Sequence, residues 1–144
     1  MMDIEKSLLN SIYTHLTTDA TLKSRMGGSV RLYLTWAPAE ASFPYLVHRL
    51  DLSRIADWSP KYRIAYLLDI WSYSTNADEI FDIREQIMNL LDNYSGTTSD
   101  GIFYWMWKQT AGLVPETAEG IWHYNCQLNL RYVEESEIGV LLRR

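Results

Sequence analysis

The order of apolar and polar positions along the chain changes period several times, and each change marks an element. From Asp3 to Leu16 the apolar residues Ile4, Leu8, Leu9, Ile12 and Leu16 fall at helical spacing. Thr17 and Thr18 break that stripe. Asp19 can cap a short second helix carrying Leu22 and Met26, which Gly27 and Gly28 end. Val30 to Trp36 is a run of strand formers closed by the loop at Pro38. Tyr45 to Ile55 follows Phe43-Pro44 as a second strand. Its two faces, Tyr45/Val47/Arg49/Asp51 and Leu46/His48/Leu50/Leu52, are both mixed, so its buried side stays open. The turn residues 57–61 make 45–74 a long hairpin.

The stretch from Tyr62 to Tyr94 organises the rest. Its first part is rich in β-branched, aromatic and aliphatic residues and has no Gly or Pro, which predicts a long strand. After Thr75-Asn76-Ala77-Asp78 the period switches: Ile80, Ile83, Ile87, Leu91 and Tyr94 recur three and four apart, an amphipathic helix. Asn76 is its expected N-cap, with Glu79 completing a capping box and Asp78 and Asp82 at the positive end of the dipole. Residues 95–101 have loop composition, Ile102 to Thr110 is a further strand, and Gly112 to Gly120 is a loop around Pro115. Ile121 to Val133 alternates cleanly. Trp122, Tyr124, Cys126, Leu128, Leu130 and Tyr132 point one way, and His123, Asn125, Gln127, Asn129 and Arg131 the other.

The predicted order is α-α-β-β-β-α-β-β. Short connections imply an antiparallel sheet of about five strands with helices packed on one face, a two-layer α+β sandwich. Residues 1–133 form a single domain, followed by a tail, 134–144, that is acidic, then apolar, then basic. One helix layer shelters one face of a sheet. Yet the strand from Tyr62 is apolar on both, with Ala65, Leu67, Trp71 and Tyr73 opposite Ile64, Tyr66, Leu68 and Ile70. The strand from Ile102 repeats this with Phe103, Trp105 and Trp107. Bare apolar surface costs about 25 cal/mol per Å², so a second copy or another protein is expected to cover that face, the alternative being that the long hairpin or the C-terminal tail folds back over it.

Composition narrows the classes. The 144 residues are 47% hydrophobic and 22% charged, which is a folded chain of one domain's length. Six Trp and ten Tyr suit a packed core or protein-facing surfaces. The net charge of −5 comes without a basic stripe, against gripping of nucleic acid. Cys126 is the only cysteine, which excludes an internal disulfide framework. With no apolar run of membrane-spanning length and no leader pattern, an intracellular product without membrane contact is expected. His15, His48 and His123 show no ligand spacing, and nucleophile and phosphate-loop motifs are missing. The acidic helix face at Asp78, Glu79, Asp82 and Glu85 is a solvated surface. No catalytic residue, cofactor or metal is therefore expected. A small-ligand protein with a pocket between helices and sheet stays open, and an enzyme using His48 or His123 is the weakest alternative.

Taken in order, several segments resemble one family. These are the opening helix, Asp19-Ala20-Thr21-Leu22 with Gly27-Gly28, Phe43-Pro44-Tyr45-Leu46-Val47, Leu68-Asp69-Ile70-Trp71-Ser72 before the helix with Ile80, Ile83 and Leu90-Leu91, and the strand Trp122 to Tyr132. Over residues 4–133 the chain is similar to the tail completion and tail terminator-like proteins of long-tailed bacteriophages and prophages. Tyr104 to Trp107 and the tail from Glu134 have no counterpart in that pattern. The resemblance implies a structural virion protein, made in the host bacterial cytoplasm, that caps the head-proximal end of the tail tube as a hexameric ring. Its partners would be further copies, the major tail tube protein and the head-tail connector, with DNA only passing through the lumen. Another neck component is the nearest alternative. Contacts are expected at the hairpin tip (Arg54, Asp57, Trp58, Lys61), on the second sheet face (Trp71, Tyr73, Trp105, Trp107) and in the tail (Ile138, Leu141, Leu142).

Overall fold

A computed structural model describes residues 3–52 and 62–134. Helices α1 (Ile4–Thr17), α2 (Ala20–Arg25) and α3 (Asp78–Leu91) accompany strands β1 (Leu32–Leu34), β2 (Tyr45–Asp51), β3 (Tyr62–Tyr73), β4 (Tyr94–Thr97), β5 (Ile102–Val114) and β6 (Ile121–Glu134). The fold is α+β. The sheet has six strands in the order β1-β2-β3-β6-β5-β4. It is mixed, because β1 runs parallel to β2 while the other pairs are antiparallel.

Aspartates cap the first two helices, the second at the Asp19 that the sequence names. Asp3 accepts the Lys6 N–H at 3.1 Å and Asp19 accepts the Leu22 N–H at 2.8 Å. The same Asp19 carboxylate accepts the Gln86 amide at 2.9 Å, tying α2 to α3. After α2, Gly28 donates back to the Lys23 carbonyl at 2.7 Å, with Gly27 and Gly28 both at positive φ. The capping box expected at α3 is not formed. Ala77 is the N-cap and makes no side-chain bond, and Asn76 instead accepts the Asp78 N–H at 2.9 Å. Glu79 is drawn away because the hydroxyl of Ser72, fully buried on β3, donates to it at 2.5 Å. A buried donor needs its acceptor more than an exposed helix end does.

The sheet also departs from the expected five antiparallel strands, through β4. Helix α3 ends at Leu91, short of the Tyr94 that the periodicity assigns to it; Tyr94 instead opens β4, which pairs with Phe103 to Met106 although residues 95–97 have the composition of a loop. Gly96 is required there by a neighbouring ring rather than by a turn: an added Cβ would meet Tyr104 Cζ and Oη and Tyr94 Oη at 2.9 Å. A register shift between Lys108 and Thr110 lets β5 continue to Val114, which shortens the expected loop at Gly112. Strand β1 covers Leu32 to Leu34 only, since Thr35 turns out of the sheet at φ 68°. Strand β2 ends at Asp51, and the expected hairpin tip lies outside the described residues.

Helix stripes and one sheet face interlock as the core. Leu8, Ile12 and Leu16 of α1 and Ile80, Ile83, Ile87 and Leu91 of α3 close over Ile64, Tyr66, Leu68 and Ile70 of β3 and Cys126, Leu128 and Leu130 of β6. This settles the ambiguous strand: Leu46, His48 and Leu50 of β2 face inward. Among the described residues no helix is long and apolar enough to cross a membrane.

Candidate functional site

The sheet face turned away from the helices is where the sequence places a contact surface, and pairing register determines its layout. On it β3 presents Ala65, Leu67, Asp69, Trp71 and Tyr73. Opposite these, β2 sets Arg49, Val47 and Tyr45, and β6 sets Asn129, Gln127, Asn125 and His123. Phe103, Trp105 and Trp107 lie on the same face of β5. The middle is better sheltered than the pattern suggested, with Ala65 1% and Leu67 7% exposed.

Two aromatic regions flank that middle. At one end Trp71 stacks on the His123 ring at 3.9 Å and on Tyr45 at 6.3 Å, while Phe43 reaches both Tyr45 (5.2 Å) and Tyr73 (6.0 Å). Tyr73 is 64% exposed there. At the other end Phe103 and Trp105, both half-buried, meet at 5.6 Å. Trp71 is paired with His123 and Trp105 with Arg131, eight residues apart on β6. That spacing is roughly 27 Å along the strand. The predicted residues Trp71 and Tyr73 thus share one cluster, and Trp105 and Trp107 belong to another.

Between them runs a polar ladder. His123 Nε2 lies 2.6 Å from Asp69 Oδ1 and Nδ1 lies 2.9 Å from Glu116 Oε1, so one imidazole links β3 to the turn between β5 and β6. The Asn125 amide donates to the same Asp69 oxygen at 2.9 Å. Carboxylates on both sides of a ring that also stacks on Trp71 immobilise it. This constellation orders a surface; it offers no nucleophile.

The remaining candidates divide plainly. Arg54, Asp57, Trp58, Lys61, Ile138, Leu141 and Leu142 lie outside the described residues. Sequence reasoning missed Trp36, 77% exposed beyond β1, and Leu34, 57% exposed at its end. Both sit in what was read as strand, and the Pro38 loop two residues on was the available signal that the strand ends early. His48 is buried, with Nδ1 2.6 Å from Tyr66 Oη; desolvation brings its pKa down to about 4 and pushes that of Tyr66 well up. Burial likewise raises the Cys126 thiol to about 12, the opposite of activation. Among the described residues no group of three or more His, Cys, Asp and Glu is arranged to hold a metal ion.

No protein-family model matches the sequence, and no curated protein matches it. A search of solved structures finds a chain of the virion of a native gene transfer agent particle, with TM-score 0.74 over 88% of this chain and 95% of that one, at 13% identity. At that identity the likeness establishes a shared fold.

Proposed function

We propose that the protein is a structural component of a phage-like virion, closing the head-proximal end of a tail tube as a ring and joining tail to head connector. The observation that carries this reading is the separation of two aromatic regions on opposite ends of one sheet face, with Tyr73 exposed at one of them. A closed ring is built from heterologous contacts, which need different patches on different sides of each protomer. A single patch would suit a two-fold dimer instead. The fold shared with a chain of a gene transfer agent virion, over nearly the full length of both, supports the same assignment. So does the net charge of −5, which lets a polyanion pass a lumen without being held.

On this reading the partners are further copies in a hexameric ring, the tail tube protein and the head-tail connector, and the place of work is the virion neck after synthesis in the bacterial cytoplasm. Deleting the gene and imaging the particles tests it. Overlong or headless tails are expected. Normal tails beside unfilled heads would assign the protein to another part of the neck, and unaltered infectious particles would remove the assembly role.

A further inference from the structure

A second surface, on the helix side at the β4 edge, has the makings of a peptide site. The Thr98 N–H donates to the Ile102 carbonyl at 2.8 Å, which sets the phase of the β4–β5 ladder. In an antiparallel pair alternate residues turn their main-chain groups inward, so Tyr94 and Gly96 face β5, while Ser95 and Thr97 turn N–H and C=O outward. Among the described residues no strand lies beyond β4 in the sheet. Alongside that edge opens a cleft of about 480 Å³ whose far wall is a polar stripe of α1: Ser7, Asn10, Ser11 and Thr14. The stripe runs roughly 11 Å and the four residues of β4 roughly 13 Å, so wall and edge match in length.

The lining states what would enter. Ser7 is 6% exposed, and its hydroxyl has no hydrogen-bond partner although it borders the cleft. Asp100 closes one end, and among the described residues no lysine or arginine pairs with its carboxylate. The floor is aromatic: Tyr94 stacks on His15 at 3.8 Å, and the buried Tyr104, held by Ser11 at 2.7 Å, lies behind it. His15 is itself engaged with the Leu90 carbonyl at 2.9 Å. Acceptors, one unpaired carboxylate and a ring surface suit a cationic side chain with an apolar stem.

We infer that the free edge of β4 and this cleft together bind an extended polypeptide segment bearing a lysine or arginine. Its main chain pairs with Ser95 and Thr97. Its basic side chain lies along the floor that Tyr94 and His15 form, with the charged head at the Asn10 amide oxygen and Asp100, beside Ser7. Strand addition supplies affinity, and the cleft selects the side chain. This goes beyond the assembly reading and is independent of it, since any basic extended segment would serve.

The test is amide hydrogen exchange, read residue by residue, on the full chain with the blocked pentapeptide Thr-Val-Arg-Val-Thr. Exchange at Ser95 and Thr97 is expected to slow about tenfold once the peptide stands about ten times above its Kd. The same peptide with citrulline for arginine, and the protein variants Asp100→Asn and Ser7→Ala, are expected to lose most of that slowing. Unchanged exchange at Ser95 and Thr97 at millimolar peptide would overturn the proposal. Equal slowing by the citrulline peptide would overturn its choice of a basic side chain.

Discussion

At the residue scale, the most consequential side chain is one that the alternation of β2 could not place. His48 is 4% exposed and meets the phenol of Tyr66 in the core. Its folded pKa, lowered to about 4 by burial, lies below the 6.5 of an unfolded histidine. The unfolded chain therefore binds a proton that the folded one refuses throughout that window, so stability is complete above about pH 6.5 and falls as the pH drops towards 4. From the two pKa values the loss at pH 4.5 is roughly 2.5 kcal/mol. Urea denaturation of the wild type at pH 7 and 4.5, beside His48→Gln, should show a markedly smaller acid loss in the variant. An equal loss in both would mean that His48 does not carry it. Gly96 gives a second prediction. Its Cβ in Gly96→Ala would strike the Tyr104 ring, whose hydroxyl Ser11 holds, so overpacking of about 1–3 kcal/mol is expected from denaturant midpoints.

At the element scale, what was legible and what was not separate by the origin of the signal. The stripes of α1 and α3 and the alternation of β6 are local patterns with one buried face each, and all three elements form, α3 ending at Leu91 before the Tyr94 that its stripe had included. Strand β4 was hidden because its glycine answers a tertiary demand, the crossing of Tyr104, that no local pattern carries. The extension of β5 was hidden for a related reason: its register shift places Gly112 opposite Asn125, where a glycine beside a proline-containing loop looks like the loop itself. The α3 cap shows the same override. Glu79 serves the buried Ser72 hydroxyl rather than the helix end, so Glu79→Ala should cost about 1–3 kcal/mol by stranding that hydroxyl. Asn76→Ala, losing one exposed bond to the Asp78 N–H, should cost no more than about 1 kcal/mol. Thermal unfolding of the two variants orders them. A larger effect at Asn76 would restore the capping box as the stronger interaction.

At the scale of the whole molecule, the unbalanced sheet is half answered from within. Ala65, Leu67 and Val133 are buried in a single copy, so a uniformly greasy second face is not what the chain presents. What it presents are rings at both ends with a hydrogen-bonded strip between them, and on the proposed reading the exposed rings, Tyr73 at one end of that face and Trp36 beyond β1, join the copies. Tyr73, 64% exposed, and Trp36, 77% exposed, can be replaced with little loss inside the protomer, whereas Trp71, stacked on His123, cannot. Tyr73→Ser and Trp36→Ser should therefore leave the melting temperature nearly unchanged and weaken self-association. Truncating an anchor ring at such an interface typically costs about 2 kcal/mol or more, a Kd raised roughly thirtyfold. A contact made by these rings is apolar rather than ionic, so on the proposed reading the association should persist as salt is raised. Sedimentation velocity over a range of concentrations, at low and high salt, separates the possibilities. Association unaffected by both substitutions would place the contact elsewhere, and association abolished by salt would mean that charge rather than ring burial drives it.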